Sequence, residues 1–500
     1  MWAVDNFFYH LHTTFMDTLN SVNRAEKLKN LNCQNEDVII KTITVGGKNM
    51  SLVFVDEIAN QQEINKSIVE PLSLYKGKNF SLEDLQNSVV FLCNGEILPE
   101  TDALEKLLRG FAILFVDGEE NVICFNTVFY EGRSVEEPPT STVISGPREG
   151  FTEVLRTNVA LIRKRCPSKN LKIEEIVLGS RTKTRVNLIY FSDIAKNEVV
   201  KEIKDKLNSV EIDGVIDSYY VTKLLEDRPN SIFNQVGNCE KPDVACAKLL
   251  EGRVVILVDG TPVALTVPYL FFEDFQSSND YYSDAHRATA LRIIRVMGIF
   301  ISIFLPGMYI ALQLYHYKVL PIKFLVTIVN TTQNLPLNPF LEIFFIIILF
   351  DILFEASVRM PKYLGMAISI VGALILGDTA VKAGLVSPPG VMIVALSAIT
   401  VYIIPNQSSQ ISLLRIVFAV IGGTLGFHGI VLGLIFIVSY LCNIDSFKTP
   451  FFAPYAPYIP KDQKDFVLKD SLVAMKTRPK SIPHKKDIRL VMKDKSKGEE

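Results

Sequence analysis

Residues 288–444 constrain the fold more than any other part of this chain, because they are apolar almost without interruption. A helix needs about 20 apolar residues to cross a hydrocarbon core of about 30 Å. The run Ile293–Tyr315 meets that length, and Arg295 is its only charged residue. The residues before this stretch carry the charge of an ordinary water-exposed surface. The sequence therefore predicts a helical membrane domain preceded by a large soluble head.

The membrane domain is predicted to contain about four to six spans. The six candidates are 293–315, 340–356, 364–381, 389–404, 411–426 and 428–444. The last two come from one apolar run that is too long for a single untilted crossing and is interrupted by glycines. Lysines and arginines before the first span and in the tail place the head and the tail in the cytoplasm. Four crossings with re-entrant segments are the alternative.

The head contains a weak internal repeat. Residues 107–118 resemble residues 249–260 at an offset of 142, and residues 38–59 resemble residues 174–195 at an offset of 136. Two matches at nearly equal offsets indicate a duplicated unit. Each unit has the pattern strand, strand and helix followed by helix, strand and strand, which predicts an α+β fold.

We therefore predict an α+β soluble head of two similar subdomains, followed by an α-helical polytopic membrane domain. The predicted segments are an N-terminal segment (1–29), subdomain 1 (30–132), a linker (133–149), subdomain 2 (150–285), the membrane domain (286–445) and a tail (446–500). Closely spaced prolines in 450–460 exclude a helix, so this part of the tail is predicted to be an extended aromatic segment. The lysine-rich remainder of the tail is predicted to be disordered.

Composition limits the functions open to the chain. The formal net charge of −2 gives no reason to expect nucleic acid as a partner. The seven cysteines are scattered without CxxC pairs, so neither a disulfide framework nor a metal site is predicted. The sequence has no GxSxG, Walker A or HExxH motif, and we predict no cofactor and no enzymatic activity.

Charged residues of both signs are concentrated in the linker and just after it. They are Arg133, Glu136, Glu137, Arg148, Glu149, Glu153 and Arg156. They form either an ion-pair latch that fixes one subdomain against the other or a site for a ligand or partner. The latch is the favoured interpretation, because charge clusters of mixed sign are usually structural.

The second candidate span holds three acids, Glu342, Asp351 and Glu355. Acids at membrane depth are costly and mark an ion path, a proton relay or a buried ion pair. Glu342 and Glu355 lie near the ends of the span, where an acid is interfacial. Asp351 is either a functional group or the partner of Arg359 or Arg415.

The third candidate span presents small residues on one face. They are Gly365, Ser369, Gly372, Ala373 and Gly377. Small residues at this spacing let helices approach closely. This helix therefore either packs tightly within one bundle or lines a narrow, mostly apolar pore between copies of itself.

Several ordered motifs resemble one known family over nearly the whole chain. They are GRSVEEP (132–138), GPREGFTE (146–153), RTN (156–158), the segment 240–262, EDFQSSNDYY (273–282), SIVGALILG (369–377), AGLVSP (383–388), APYAP (453–457) and KDQKD (461–465). On these motifs the chain resembles the A subunit of bacterial spore germinant receptors, the GerA family.

The resemblance implies a receptor complex in the inner membrane of a dormant spore, in which the A subunit lies beside a transporter-like B subunit and a lipoprotein C subunit. It also implies that the A subunit self-associates into a homo-oligomeric channel that opens on nutrient sensing, releases cations and starts germination. In such a channel Arg292 and Arg295 would couple the head to the first span. A non-conducting signalling scaffold and a secondary transporter are the alternatives.

Overall fold

The computed structural model describes residues 20–31, 35, 37–56, 58–75, 77, 81–86, 95–127, 137–138, 141–143, 145–359, 361, 372 and 374–491. These residues form two compact units. The first unit contains the described residues up to Pro229, the segment Val236–Tyr269 and the residues from Lys476 onward. The second unit contains Asn230–Gln235 and Leu270–Met475.

The first half of the first unit is built on a five-stranded antiparallel sheet. Its strands are Val38–Val45 (β1), Lys48–Val55 (β2), Gly95–Pro99 (β3), Ala112–Val116 (β4) and Asn121–Phe125 (β5), in the order β1-β2-β4-β5-β3. The β1–β2 hairpin forms where two β-branched runs flank Gly46 and Gly47. Both glycines have positive φ, which residues with a Cβ rarely adopt.

The second half repeats this sheet. Its strands are Leu171–Leu178 (β6), Thr184–Phe191 (β7), Gly237–Cys239 (β8), Val254–Val258 (β9) and Ala264–Val267 (β10), in the order β6-β7-β9-β10-β8. Each strand occupies the same place as its counterpart in the first sheet, as the sequence repeat predicts. The edge strands β3 and β8 were absent from the predicted pattern, because both are short and contain glycine and polar residues in place of an apolar run.

Helices cover both sheets. They are Ser21–Leu31 (α1), Gln61–Ile64 (α2), Glu70–Leu74 (α3), Leu82–Asp84 (α4), Glu100–Leu108 (α5), Leu155–Arg165 (α6), Asn197–Asn208 (α7), Ser218–Leu225 (α8) and Pro242–Glu251 (α9), with a π-helical turn at Asn65–Val69. In the first sheet Leu52 and Phe54 pack into one core cluster, whereas Val53 and Val55 pack into another. Strand β2 is therefore buried on both faces, which explains its continuous apolar sequence.

The second unit is mainly helical. Its helices are Ser278–Tyr281 (α10), Ala285–Leu314 (α11), Ile322–Thr332 (α12), Pro339–Arg359 (α13), Ala380–Lys382 (α14), Pro388–Val401 (α15), Ser408–Thr424 (α16) and Gly426–Cys442 (α17). Shorter 3₁₀ or π-helical turns lie at Phe271–Phe275, Tyr317–Val319, Ile375–Thr379, Pro405–Gln407 and Pro460–Lys464, and a two-residue hairpin pairs Asp445–Ser446 (β11) with Thr449–Pro450 (β12).

One described helix, α11, is long and apolar enough to cross a membrane by itself. Helices α15 and α16 pass the same test together but are bent by 110° at the break between them, as in a broken span or a re-entrant loop. Helices α12 and α17 are apolar but shorter, and α13 holds three acids in its 21 residues. The described residues therefore contain one or two candidate spans, and the predicted polytopic domain stays a prediction.

Other predicted boundaries fall differently in the structure. Half of the predicted span 364–381, namely residues 364–371 and 373, lies outside the described residues. The compact units place the segment from Leu270 to the start of α11 with the helices, whereas the sequence prediction assigned it to subdomain 2. The long run 411–444 is interrupted at Leu425, between α16 and α17.

The tail corrects two predictions. Residues 451–458 form hydrogen-bonded turns and are not extended, because Phe452 and Tyr455 fold back to pack against Phe272 at 4.9 and 4.8 Å between ring centroids. Residues 461–491 are packed in part and are not disordered throughout, because Phe466, Lys469, Arg478 and Ile482 are buried. In the first unit the backbone N–H of Lys485 donates to the Ile194 carbonyl at 2.7 Å, and Arg478 Nε donates to the Leu250 carbonyl at 2.6 Å. The Lys485 ammonium also donates to a backbone oxygen, the Ser192 carbonyl, at 2.7 Å, so specific pairing outweighs the charge of the segment.

Candidate functional site

A buried charge cluster lies at the start of α11, and we call Asp280, Arg292, Arg295, Asp465 and Lys469 the arginine cluster. Arg292 Nε donates to Asp280 Oδ2 at 3.0 Å. Arg295 binds both oxygens of the same carboxylate, at 2.7 and 3.0 Å. The side chains of Arg292 and Asp280 are fully buried. The two arginines that were predicted to couple head and membrane therefore share one carboxylate.

Asp280 is held in place by its own short helix. It is the third residue of α10, and its Oδ2 accepts from the Ser277 backbone N–H at 3.1 Å in a capping box. Burial by itself would raise the pKa of the Asp280 carboxyl, but hydrogen bonds from Arg295, Ser277 and Arg292 lower that pKa below its ordinary value. The carboxylate is therefore charged at neutral pH.

The tail completes the arginine cluster. Arg292 Nη1 donates to Asp465 Oδ1 at 3.1 Å and to the Phe466 carbonyl at 2.7 Å. Lys469 Nζ donates to the Asp280 carbonyl, and the Lys469 backbone N–H donates to Thr289 Oγ1 at 2.9 Å. The cluster thus joins three segments that are distant in sequence: the approach to α11, its first turns and the tail. The motifs EDFQSSNDYY and KDQKD, which the sequence presented separately, supply the two acids.

Asp351 is paired with Arg415. Arg415 Nη2 donates to Asp351 Oδ1 at 2.5 Å, and the Arg415 side chain is 2% exposed. Asp351 is 37% exposed and borders a cavity of about 390 Å³ that Tyr402 and Ser412 also line. The sequence analysis considered Arg359 and Arg415 as partners of Asp351, and the structure shows that Arg415 is the partner. Arg359 instead pairs with Glu355 one helical turn away, and both side chains are exposed.

Glu342 is buried inside the protein, which the sequence did not predict, and its interfacial position stays a prediction. Its residue exposure is 1%, because Ser387 and the start of α15 cover it. Its Oε1 accepts from the Ser387 backbone N–H and from Ser387 Oγ, both at 2.6 Å. Its Oε2 is buried and has no hydrogen-bond partner among the described residues.

The structure describes two of the five residues of the small-residue face, Gly372 and Gly377. Gly365, Ser369 and Ala373 lie outside the described residues. A Cβ on Gly372 would meet Leu353 at 3.0 Å, whereas a Cβ on Gly377 would have no described atom within 4 Å. These five residues therefore remain a predicted packing or pore surface.

A close helix approach occurs elsewhere, between α11 and α16. A Cβ added to Gly422 would overlap the Gly307 carbonyl, and one added to Gly307 would overlap the Phe418 carbonyl. Helix α11 also exchanges two hydrogen bonds with α15, from Ser302 Oγ and Ser397 Oγ to each other's carbonyls at 3.1 and 2.8 Å. Because no second glycine lies three or four positions from Gly307, the sequence pattern alone gave no reason to select it.

The linker charges do not form one mutual latch among the described residues. Arg148 lies 3.9 Å from Glu137, while Glu149 pairs with Lys164 and Arg165 at 2.9 and 2.5 Å. Arg133 and Glu136 lie outside the described residues.

The last two linker charges reach neighbouring backbone. Arg156 donates to the backbone carbonyls of Asp56 and Ala59, which belong to the first half of the unit. The Glu153 carbonyl accepts from Gly260. Arg156 therefore connects the second half of the unit to the first.

Two buried residues that the sequence did not single out also join the halves. Arg163 Nη2 pairs with Asp37, and their side chains are 1% and 2% exposed. Asn35 donates to the Leu171 carbonyl at 2.9 Å and accepts from the Ile173 backbone N–H at 3.0 Å. The basic end of α6 was the available signal, but basic residues are common at the C-terminus of any helix.

The chain is similar to named proteins over most of its length. It is 35% identical over 475 residues to "Spore germination protein KA" of Bacillus subtilis (strain 168), covering 93% of this chain and 87% of the relative. It is 33% identical over 467 residues to "Uncharacterized membrane protein YfkQ" of the same strain, covering 92% of this chain and 91% of the relative.

A solved structure is similar to part of the chain. The crystal structure of the N-terminal domain of the A subunit of the Bacillus megaterium spore germinant receptor GerK3 aligns with a TM-score of 0.39 and 30% identity, covering 49% of this chain and 93% of that chain. The family model described as "Bacillus/Clostridium GerA spore germination protein" matches residues 26–481. The chain therefore belongs to the GerA family of spore germination proteins.

Proposed function

We propose that this chain is the A subunit of a nutrient-responsive germinant receptor in the spore inner membrane. In this role it self-associates into a channel that opens on nutrient sensing, releases cations and starts germination. The family membership over residues 26–481 and the relatives named as spore germination proteins support the germination role. The channel is the finer part of the proposal, and the arrangement of the helical unit supports it.

The arginine cluster is the observation that carries the coupling between sensing and opening. Arg292 and Arg295 lie at the start of α11, the one described helix that satisfies the criteria for a span by itself. Both arginines bind Asp280, which precedes the helix, and Arg292 also binds Asp465 of the tail. A displacement of either segment would therefore act directly on the end of α11. Such a junction suits a helix that must move when another part of the receptor changes.

A multi-pass domain with the head and the tail on the cytoplasmic side is part of the proposal. The contacts of Lys485 with Ile194 and of Arg478 with Leu250 support the placement of head and tail on one side, because residues from both ends of the chain pack in one compact unit. That arrangement requires an even number of crossings between them. One relative is itself named as a membrane protein.

The proposed partners are further copies of this chain, a transporter-like B subunit, a lipoprotein C subunit and the membrane. Neither a nucleic-acid partner nor an enzymatic step belongs to the proposed role. The small-residue face, of which Gly372 and Gly377 are described, is proposed as the packing or pore surface between copies. The scaffold and transporter alternatives make different predictions for ion flux.

The germination role is tested in spores. A host lacking the chain would be complemented with the wild type or with Asp280→Asn, and release of dipicolinic acid and K⁺ would be followed on exposure to a panel of amino acids, sugars and nucleosides. The account expects at least one nutrient to act only when the wild-type chain is present. Asp280→Asn would respond weakly at equal protein abundance. Identical responses of the deleted and complemented spores to every nutrient would refute a receptor role in that host.

A further inference from the structure

The buried carboxylate of Glu342 is unusual among the acids of the helical unit. Asp351 pairs with Arg415, Glu355 with Arg359 and Asp378 with Lys382. Glu342 is more buried than these three acids and makes no ion pair within the described part of the chain. An isolated buried charge is strongly unfavourable unless a counter-charge or a hydrogen-bond donor compensates for it. The two carboxylate oxygens of Glu342 differ, because Oε1 accepts hydrogen bonds and Oε2 has no partner among the described residues.

The fold stabilises one oxygen of Glu342 in its charged form. Ser387 is the N-cap of α15, and both its backbone N–H and its hydroxyl donate to Oε1. The N-terminus of a helix adds about half a positive elementary charge at this point. A Cβ on Gly390 would lie 2.6 Å from Oε1, so only glycine leaves room for the carboxylate at this turn. Two hydrogen-bond donors and a helix N-terminus therefore act on Oε1 of this carboxylate.

The second oxygen lies among other groups that lack partners. Tyr309 of α11 is 5% exposed, and its hydroxyl interacts electrostatically with Glu342 and lies near Ser387 and Gln313. By distance and angle, neither the Tyr309 hydroxyl nor the Gln313 Nε2 has a hydrogen-bond partner among the described residues. Buried polar groups in folded proteins are rarely left unpaired in this number. Helices α11 and α13 thus bring incompletely paired polar groups together beside Ser387 of α15.

We propose that Glu342, Tyr309 and Ser387 form a binding site for one dehydrated monovalent cation of the size of Na⁺ or K⁺. Carboxylate, hydroxyl and amide oxygens are the ligands that hard cations prefer. A single carboxylate whose charge is partly offset by a helix N-terminus suits one positive charge better than two. The cation would bind Oε2 of Glu342 and the hydroxyl oxygen of Tyr309, the two oxygens of the site that lack a partner among the described residues. The site would hold α11, α13 and α15 together.

This inference rests on the proposed membrane role only for its context, because binding requires no conduction. The test measures the thermal unfolding of the full-length protein in detergent at constant ionic strength, in KCl, NaCl or N-methylglucamine chloride. The wild-type Tm is expected to be about 2 to 4 °C higher in KCl or NaCl than in N-methylglucamine chloride, as for a ligand well above its Kd. Glu342→Gln should lose this difference, and the matched control Glu355→Gln on the same helix should keep it.

Tyr309→Phe provides a second test if Glu342→Gln does not fold. It removes one oxygen and keeps the aromatic packing, so the cation concentration for half-maximal stabilisation should rise several-fold. Equal wild-type Tm in all three salts, an unchanged cation effect in either variant, or a Tm that responds to pH but not to the cation would overturn the site. Cation-dependent stability without flux would refute the proposed channel and leave the site intact.

Discussion

Arg292 and Asp280 form an ion pair in which both side chains are fully buried, with 3.0 Å between Nε and Oδ2. The pair lies where the chain enters its longest helix, and Arg295 and Asp465 extend it. A buried pair of this kind adds little net stability over an apolar pair, but removing one partner is costly because the other charge is left uncompensated. The arrangement therefore defines one geometry for the entry into α11.

The first prediction concerns the loss of this shared carboxylate. Asp280→Asn leaves Arg292 and Arg295 facing a neutral amide, and we expect a loss of about 3 to 5 kcal/mol in the stability of the helical unit. The measurement is thermal unfolding of the detergent-solubilised chain. Asp284→Asn is the control, because Asp284 is exposed and makes no capping hydrogen bond to α11. Equal effects of the two substitutions would show that the buried pair has no special weight.

The second prediction concerns acid. The pKa of Asp280 is lower in the folded protein than the ordinary value of 3.8, so the unfolded chain takes up a proton first as the pH falls. The stabilisation from Asp280 is complete above about pH 4 and is lost as the pH falls through the lower folded-state pKa. The Tm difference between wild type and Asp280→Asn should therefore be constant near neutral pH and shrink below about pH 4. A difference that shrinks between pH 8 and 6 contradicts this assignment.

The third prediction concerns the junction of the two sheets. Asp37→Ala leaves the guanidinium of Arg163 buried without its counter-charge, and we expect a loss of about 3 to 5 kcal/mol. The control is Glu105→Ala, whose partner Arg109 is exposed at 2.6 Å in the same half of the unit as Asp37; loss of that ion pair is expected to cost less than about 1 kcal/mol. Denaturant unfolding of the full chain, followed by a probe in the head, measures both. The double variant Arg163→Met/Asp37→Ala should recover part of the loss, and no recovery would argue against the pair.

The fourth prediction concerns the contact between α11 and α16. Gly422→Ala would push a methyl group into the Gly307 carbonyl, and backbone cannot move away as a flexible side chain can. We expect a destabilisation of about 1 to 3 kcal/mol, as for overpacking in a tight core. Gly433→Ala is the matched control, because the added Cβ would meet only side-chain atoms of Phe418 and Ile421, which can move aside. The yield of monodisperse protein after extraction compares the two, and a well-behaved Gly422→Ala protein would refute the close approach.

The sequence predicted the parts of the fold that repeat or that depend on local composition. The offset matches located two α+β units because each strand pair recurs with similar apolar spacing, and the apolar run located the helical unit. The sequence analysis did not predict the edge strands β3 and β8, because their pairing depends on the strands beside them and not on their own residues. The fold of the tail was not predicted for a related reason. The lysines and prolines of the tail predict disorder by composition alone. The carbonyls that accept hydrogen bonds from Arg478 and Lys485 belong to Leu250 and Ile194, which are far away in sequence and could not be inferred.

The sequence identified several residues of the candidate site but not the contacts that they make. The sequence identified Arg292, Arg295 and the three acids from their charge in or beside an apolar run. It could not pair Arg292 with Asp465, which is 173 residues away. Nor could it place Glu342 in the interior, because the residue that covers it, Ser387, comes from a helix much later in the chain.

Cation flux through the purified full-length protein in liposomes tests the central claim most directly. Wild type would be compared with Asp351→Asn, which removes the partner of the buried Arg415, and with Glu355→Gln, which alters an exposed pair on the same helix. The account predicts a cation-selective flux that needs no substrate gradient, changes with Asp351→Asn and is unchanged by Glu355→Gln. Correctly inserted protein that passes no cations, alone or with its B and C partners and nutrient, would contradict the channel and favour a scaffold.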